Sequence, residues 1–482
     1  MYRGRTGAWI FSLSLIGLAF GSLPASAESL QDALALAYQN NPDLEADRAA
    51  LRATDESVPQ AKSGYRPTVQ ATGSIARTES SGGQQQLIDP NYKPQPLTPK
   101  NGSISIQQPL FRGFSTMNDI QGAKREVEAG RADLLNAEQT TLLDAATAYM
   151  NVVRDEAILR LNDNQVEVLQ RQLESTQNQF DVGELTRTDV AQAEARLSAA
   201  RSARIAAEAT LTASRTNYQR LMGQAPGTLQ DSPMLPQLPT TEDEALQVAG
   251  QNNPALIGAM YREEAARYDI GSAAGAILPR VDLQASYSKG KDTLRNRSDG
   301  RLFGSSSKQI TAQITIPFFQ GGAEYSRVRQ AKEVRSQRQL EVISARRQVE
   351  EQVRTAWAQL RASQSSIESN KAQVDASQIA LDGVRQEAEV GSRTTLDVLN
   401  AEQELLNANV DLVSAQRDSY VASFTLLSAI GQLTARNLGL AVQYYDPEKH
   451  YDEVKDKWFG WNVDSDEPGQ STTTTGAPAS DR

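Results

Sequence analysis

The stretch DALALAYQNNPDL, residues 32–44, returns 212 residues later as EALQVAGQNNPAL, residues 244–256. Further matches follow at an offset of 212 and then 208 residues: Pro67 with Pro279, Pro109 with Pro317, Phe111 with Phe319, and Val182-Gly183 with Val390-Gly391. Chance rarely gives several matches at a near-constant offset. The chain is therefore predicted to contain two copies of one structural unit.

Each copy contains two stretches with the two-residue period of a β-strand. In the second copy, Val281, Leu283, Ala285 and Tyr287 alternate with polar residues. We predict strands at about 65–76, 102–112, 280–288 and 309–318, with polar loops at about 77–101 and 289–307. Alternating segments of about ten residues are typical of membrane-spanning strands; a soluble hairpin, half-buried on a core, is the alternative. Aromatic residues at the strand ends would then form an interfacial girdle: Phe111, Phe114, Phe318 and Phe319.

Four strands cannot close a barrel, since the smallest bacterial barrels have about eight. Open strand edges are not tolerated in hydrocarbon. If the strands lie in a membrane, several chains must share one barrel, and three chains give twelve strands.

Two long segments, about 117–180 and 324–388, contain no proline and very little glycine. Each is predicted to be a helix of roughly 95 Å. Each ends at a Val-Gly pair, after which a shorter helix returns, at about 189–222 and 397–430. We expect each return helix to be extended by stacking on the short helix that opens its repeat.

The N-terminus has the pattern of a secretory signal peptide, with two arginines, an apolar run and an A-x-A ending at Ala27. Without residues 1–27 the formal charge changes from −10 to −12, because Arg3 and Arg5 are lost. An acidic chain disfavours a nucleic-acid partner. There is no cysteine, and the single histidine, His450, is expected to be a solvated surface residue. We therefore expect no cofactor, no metal site and no enzyme chemistry.

The signal peptide, the duplicated strand–strand–long-helix unit and the twin V-G-x-x-T-x-x-D turns together resemble the TolC family of outer-membrane efflux and secretion proteins. The most specific segments are FDVGELTRTD, residues 180–189, and VGSRTTLDVL, residues 390–399. The resemblance covers the chain from residue 28 to about 445.

This resemblance implies a mainly α fold with a β-barrel part. A homotrimer would form a twelve-stranded outer-membrane β-barrel, continued by an α-helical barrel across the periplasm. It also implies that the helical tips dock onto a periplasmic adaptor (membrane fusion) protein and an inner-membrane pump of the RND, ABC or MFS type. The chain would be an exit duct for small molecules or proteins, in contact with outer-membrane lipid.

The expected organisation follows the two repeats. It comprises a signal peptide (1–27), a first repeat (28–222) with a tip turn at 182–188, a Pro-rich linker (223–241), a second repeat (242–433) with a tip turn at 390–396, an equatorial C-terminal segment (434–463) and a disordered tail (464–482).

The tip turns have a local explanation as well as a functional one. Gly183 and Gly391 suit the position just after a helix C-terminus, where a positive φ is favoured. Thr186–Asp189 and Thr394–Asp397 have the T-x-x-D spacing of a helix start. Capping therefore competes with gating as the role of both aspartates. By resemblance, the adaptor-docking turns contain Val182, Gly183, Thr186, Val390, Gly391 and Thr394.

An asymmetry between the repeats favours a gate at the second tip. Asp397, Asn400 and Glu404 share one helix face, and the equivalent first-repeat face, Asp189, Gln192 and Arg196, has its charge offset. We expect Asp397 from three subunits to form an acidic ring.

The family also implies a gate lock, in which Arg393 links the second hairpin to Thr188 and Asp189 of the first. Two positions depart from the best-known family member. Asn400 replaces a second aspartate, and Ala388 replaces a tyrosine of the lock, so closure is expected to depend more on Arg393.

Two alternatives to a general export duct stay open at this stage. One is a narrower role within the family, dedicated to drug or metal efflux. The other is a periplasmic coiled-coil structural or adaptor protein without a membrane barrel, which accounts for the helices but not for the alternating strands.

Overall fold

A computed structural model describes residues 28–79, 96–231, 237–295 and 302–461. The predicted signal peptide and the predicted tail lie outside the described residues, as do most of the 77–101 loop and the middle of the linker. Among the described residues, no helix combines the length and the apolar character needed to cross a membrane.

The first repeat opens with three short helices and a 3₁₀ turn: α1 (Leu30–Asn40), α2 (Pro42–Asp55), α3 (Ser57–Lys62) and Ser63–Tyr65. Two longer helices follow its strands: α4 (Ser115–Asp181) and α5 (Arg187–Met222). The second repeat contains α6 (Glu242–Asn252), α7 (Pro254–Gly275), α8 (Ala323–Glu389) and α9 (Thr395–Ala429), and α10 (Lys449–Val454) is the last helix among the described residues. α4 and α8 have 67 residues each, which corresponds to about 100 Å.

The four strands are β1 (Thr68–Ile75), β2 (Lys100–Arg112), β3 (Arg280–Arg295) and β4 (Leu302–Thr315). They form one antiparallel sheet in the order β1-β2-β3-β4, so the duplicated hairpins lie side by side.

The predicted loop at 289–307 is wrong over most of its length, because β3 continues to Arg295 and β4 begins at Leu302. This part of the hairpin is rich in Gly, Ser and Lys residues, so its sequence does not alternate between apolar and polar residues. The backbone ladder needs only paired N–H and C=O groups, so it continues beyond the alternating region.

The two faces of the sheet differ in polarity. Directly opposite residues of paired strands point to the same side, so each cross-strand row shows one face. One row consists of Val69, Ile106, Ala285 and Ile310. The adjacent row, on the other face, consists of Thr68, Gln107, Gln284 and Thr311. One face is thus apolar and solvent-exposed while the other is polar.

The helices pack around α4, which contacts α1, α2 and α3 as well as α5, α7 and α9. α8 packs against α6, α7 and α9. The main core lies where α1, α4, α5 and α9 meet, and its fully buried residues include Leu34, Tyr149, Tyr218 and Leu426. α5 and α8 are the flanking long helices of this layer.

The repeated Q-N-N-P motif forms the joints at which the return helices stack on the opening helices. Asn41 Oδ1 accepts hydrogen bonds from the first backbone N–H groups of α2, while its Nδ2 donates to the Leu221 carbonyl at the end of α5. Asn253 does the same between α7 and the Ala429 carbonyl of α9, at 2.9 Å. One side chain therefore caps the start of one helix and the end of another.

His450 is not the solvated residue that the sequence suggested. Its side chain is buried, and Nδ1 lies 3.1 Å from Oδ2 of Asp55, which is fully buried in α2. Burial raises the pKa of Asp55, although the hydrogen bond to His450 and the charge of Arg131 oppose this shift. The polar sequence around His450 hides the contact because its partner is 395 residues away.

Candidate functional site

The helical tips contain the residues that the sequence singled out. Val182 is the C-cap residue of α4 and is followed by Gly183 at φ +83°. Val390 is the C-cap residue of α8 and is followed by Gly391 at φ +77°. Both glycines occupy the left-handed region that a residue with a Cβ rarely adopts. Val182 and Val390 are strongly exposed, so each turn presents an apolar side chain to its surroundings.

Both return helices begin with a capping box. In α5, Oδ2 of Asp189 accepts from the Thr186 N–H at 2.9 Å and from its hydroxyl at 2.7 Å. In α9, Oδ2 of Asp397 accepts from the Thr394 N–H at 3.0 Å and from its hydroxyl at 2.8 Å. Both aspartates therefore take part in helix capping, as the T-x-x-D spacing predicted.

These hydrogen bonds stabilise the ionised carboxylates. Those from Thr186 lower the pKa of Asp189, and those from the Thr394 backbone and hydroxyl, with Arg393 nearby, lower the pKa of Asp397. The bonds to Thr394 use only Oδ2 of Asp397. Asp397 therefore stays charged at neutral pH, and its second oxygen can interact with other groups.

The predicted lock contact is not formed within one chain. Arg393 Nε donates to Glu387 Oε2 at 2.8 Å, in the last turn of α8, and this pairing raises the pKa of Arg393. Asp189 is engaged by Thr186 instead. Thr188 lies in the first turn of α5 and is exposed. The structure thus places Arg393, Thr188 and Asp189 at the tips without joining them.

A contact between the two hairpins was missed by the sequence analysis. Arg196 Nη2 of α5 donates to Asn400 Oδ1 of α9 at 2.7 Å. We expected Asn400 only to reduce the negative charge of the acidic ring. It also accepts the hydrogen bond that holds Arg196 beside the helix face containing Asp397. The repeat alignment offered a partial signal, since Arg196 is the first-repeat counterpart of Glu404. Glu404 itself is exposed.

Buried contacts fix the positions of the tip helices behind these residues. Leu399 of α9 packs with Leu169, Leu173 and Leu197 of the first hairpin. Within the second hairpin, Arg385 Nη2 donates to Glu402 Oε1 at 3.1 Å. Glu402 is buried, and burial raises its pKa. The two hairpins are thereby packed together close to their tips.

Comparison with known proteins identifies the family. The profile of the outer membrane efflux protein family matches residues 33–224 and 245–432, one segment in each repeat. The chain belongs to this family. It is 38% identical to the outer membrane efflux protein BepC of Brucella suis over 446 residues, covering 92% of this chain and 94% of BepC. It is 29% identical to the outer membrane protein TolC of Escherichia coli, covering 89% of this chain and 87% of TolC.

A solved structure agrees with this assignment at the level of the fold. The CmeC outer membrane channel of Campylobacter jejuni superposes with a TM-score of 0.71 at 16% identity, covering 94% of this chain and 98% of CmeC.

The resemblance to the TolC family is confirmed, as is the duplicated, mainly helical fold with a strand part. The protein is an outer-membrane exit duct for export, with a long periplasmic portion. The periplasmic coiled-coil alternative is thereby set aside. The family is one of channels, not of enzymes.

Proposed function

We propose that three chains close one twelve-stranded barrel continued by a helical barrel, and that the second tip gates its periplasmic end. The observation that carries the trimer is the sheet, which has two open edges and one exposed apolar face. Open edges are not tolerated in hydrocarbon. The β1 edge of one chain can pair antiparallel with the β4 edge of the next, because β1 and β4 run in opposite directions in a four-stranded meander.

The helical layer supports the same assembly. Its flanking helices carry large apolar side chains that face solvent in one chain: Ile205 on α5, and Leu340, Ile343 and Ile379 on α8. Exposed large apolar side chains on both outer helices favour an interface with another chain. In a closed ring, α5 of one subunit would pack against α8 of its neighbour.

Migration of unheated and heated outer-membrane fractions tests the trimer. We expect a species of three chains, sensitive to heat and resistant to mild detergent, that converts to the single chain on boiling. Migration as a single chain without heating would contradict the assembly.

For the gate, we propose that Arg393 exchanges between Glu387 of its own hairpin and Thr188 and Asp189 of a first hairpin, with Asp397 lining the constriction. Glu387 lies in the last turn of α8 and competes for the arginine. The charge of Glu387, at hydrogen-bonding distance, holds Arg393, yet both side chains are half exposed. An exposed ion pair contributes little to stability because solvent screens it, so the exchange is energetically accessible.

Single-channel conductance of the purified protein tests the lock. We expect Arg393→Ala to raise conductance, because the hairpins lose their link, and Glu387→Gln to lower it, because Arg393 is freed for the first hairpin. Arg187→Ala, at the exposed start of α5, is the control and should leave conductance unchanged. Equal conductance in all three variants would rule out the proposed lock.

We also propose that the exposed turns around Val182 and Val390 dock onto a periplasmic adaptor and, through it, an inner-membrane pump. A photocrosslinking residue at either valine should capture the adaptor in cells, and mass spectrometry of the adduct would identify the pump class. The same residue at Ser286, in the strand part, is the control. Crosslinks from Ser286 alone would reject tip docking.

A further inference from the structure

Residues 445–461, the last described part of the C-terminal segment, run along α2 and α3 in the direction of the sheet. The Tyr445 N–H donates to the Tyr38 hydroxyl at 3.0 Å, His450 contacts Asp55, and Asp456 Oδ1 lies 2.6 Å from Lys62 Nζ. The residue numbers of these partners, Tyr38, Asp55 and Lys62, increase along the segment. The segment therefore runs parallel to α2 and α3.

The segment reaches the level at which the strands begin. Arg66 Nη1 donates to the Lys457 carbonyl at 2.7 Å, and its guanidinium carbon lies 4.8 Å from the centre of the Trp458 ring. Arg66 stands two residues before Thr68, the first residue of β1. From Pro42 to Arg66 the helices rise by about 35 Å, so the segment carries its end from the helix joints to the base of the sheet.

Three aromatic side chains lie at the end of the part of the chain that the structure describes, and few described residues surround them. Trp458 is 58% exposed, Phe459 87% and Trp461 96%. Leaving so much aromatic surface in water is costly. The exposed aromatics at the strand ends lie at the same base of the sheet, namely Phe114, Phe318 and Phe319.

The described part of the C-terminal segment stays clear of the cavity beneath the polar face of the sheet. That cavity is lined by residues such as Gln107, Arg280 and Gln313, and no described residue of the segment lines it. Tryptophan is enriched where a membrane meets water, because its ring is apolar and its N–H polar.

We propose that Trp458, Phe459 and Trp461 insert into the periplasmic leaflet of the outer membrane and form a lipid anchor beside the base of the sheet. The partner is the bilayer surface itself. A positive charge does not drive the contact, since the three lysines of residues 445–461 are outnumbered by five carboxylates: Asp446, Glu448, Asp452, Glu453 and Asp456. The anchor extends the membrane contact of the strands to a part of the chain that forms no strand.

Tryptophan fluorescence in bilayers of zwitterionic phosphatidylcholine tests this proposal. The chain from residue 28 onward has tryptophan only at 357, 458 and 461, so Trp357→Phe in the full protein leaves the two anchor residues as reporters. With dibrominated phosphatidylcholine we expect blue-shifted emission and about a twofold loss of intensity. The matched control is Trp458→Phe with Trp461→Phe, which leaves Trp357 of α8, and it should be unquenched.

Two results would overturn the proposal. Emission that brominated lipid does not quench but iodide does would place the tryptophans in water. Emission insensitive to both would mean that a neighbouring subunit or the chain's own tail covers them.

Discussion

Asp189 and Asp397 each carry out a structural task before any functional one. Both carboxylates cap a return helix, and the hydrogen bonds that they accept favour the ionised form. The folded pKa of each is below its ordinary value of 3.8. The stabilisation that they provide is therefore fully present above that ordinary value and is lost as pH falls through the lowered folded pKa.

We expect the first tip to loosen only in acid below the ordinary aspartate pKa. Because the chain has no native cysteine, a spin label at Glu184→Cys reports on the turn alone. Its mobility should stay constant from neutral pH to about pH 4 and then increase. In an Asp189→Asn background the acid-induced step should disappear, and an unchanged step there would contradict the role of this carboxylate.

Arg196 and Asn400 allow the effects of charge and of contact at the proposed gate to be separated. Arg196→Gln removes a positive charge beside the face that contains Asp397, so we expect tighter block of conductance by multivalent cations. Asn400→Ala breaks the same hydrogen bond but keeps the charge, and it should leave cation block close to that of the parent. If both variants behaved alike, the charge of Arg196 would not be part of the gate.

The buried Asp55–His450 pair holds the C-terminal segment against α2. Burial raises the pKa of Asp55, so between its ordinary and its raised pKa the folded state binds more protons than the unfolded one. Stability should then fall as pH rises through that window. Asp55→Asn, which still accepts a hydrogen bond, should remove this part of the pH dependence of the melting temperature. If the melting temperature depended on pH in the same way in the parent and in Asp55→Asn, this role of Asp55 would be contradicted.

At the scale of whole elements, the stacking of helices depends on two asparagines. Asn253 is buried and uses its oxygen to cap α7 and its nitrogen to bind the end of α9. Aspartate caps a helix as well as asparagine does but has no N–H to donate. The two functions of the side chain are therefore separable by substitution.

We expect Asn253→Asp to destabilise the protein although it preserves the cap, because a carboxylate would face the Ala429 carbonyl. Asn253→Ala loses both functions and should cost about 1–3 kcal/mol. Asn252→Ala, at the exposed neighbouring position, is the matched control and should be close to neutral. Denaturant unfolding measures all three, and an Asn253→Asp variant as stable as the parent would show that the joint does not need the donor.

At the scale of the whole molecule, the single chain leaves two sheet edges open and apolar side chains of α5 and α8 exposed. In the proposed trimer, neighbouring chains would cover both. Ile379, 73% exposed on α8, tests the helical part of that interface.

We expect Ile379→Asp to weaken the trimer because a charge would be buried without a partner, and Ile379→Val to preserve it. Native mass spectrometry in detergent measures the oligomeric state. A trimer equally stable in both variants would place Ile379 outside the interface.

The sequence by itself determined the duplication, the two pairs of long helices and the caps at their tips. These features are local or periodic: proline-free runs, Val-Gly endings and T-x-x-D starts act through neighbours within a few residues. The alternation also predicted the four strands, but not the polar extension of β3 and β4, where backbone pairing alone maintains the ladder.

Only the tertiary structure decided the contacts between distant parts of the chain. It buried His450 on Asp55, joined Arg196 to Asn400, and showed Asn41 and Asn253 binding helix ends far along the sequence. It also placed the aromatic residues at 458–461 beside the base of the sheet, within the stretch 434–463 that was expected to form an equatorial segment. The physical reason is the same throughout: a side chain's partner across the fold leaves no periodic pattern in the sequence, so its role appears only when packing brings the two together.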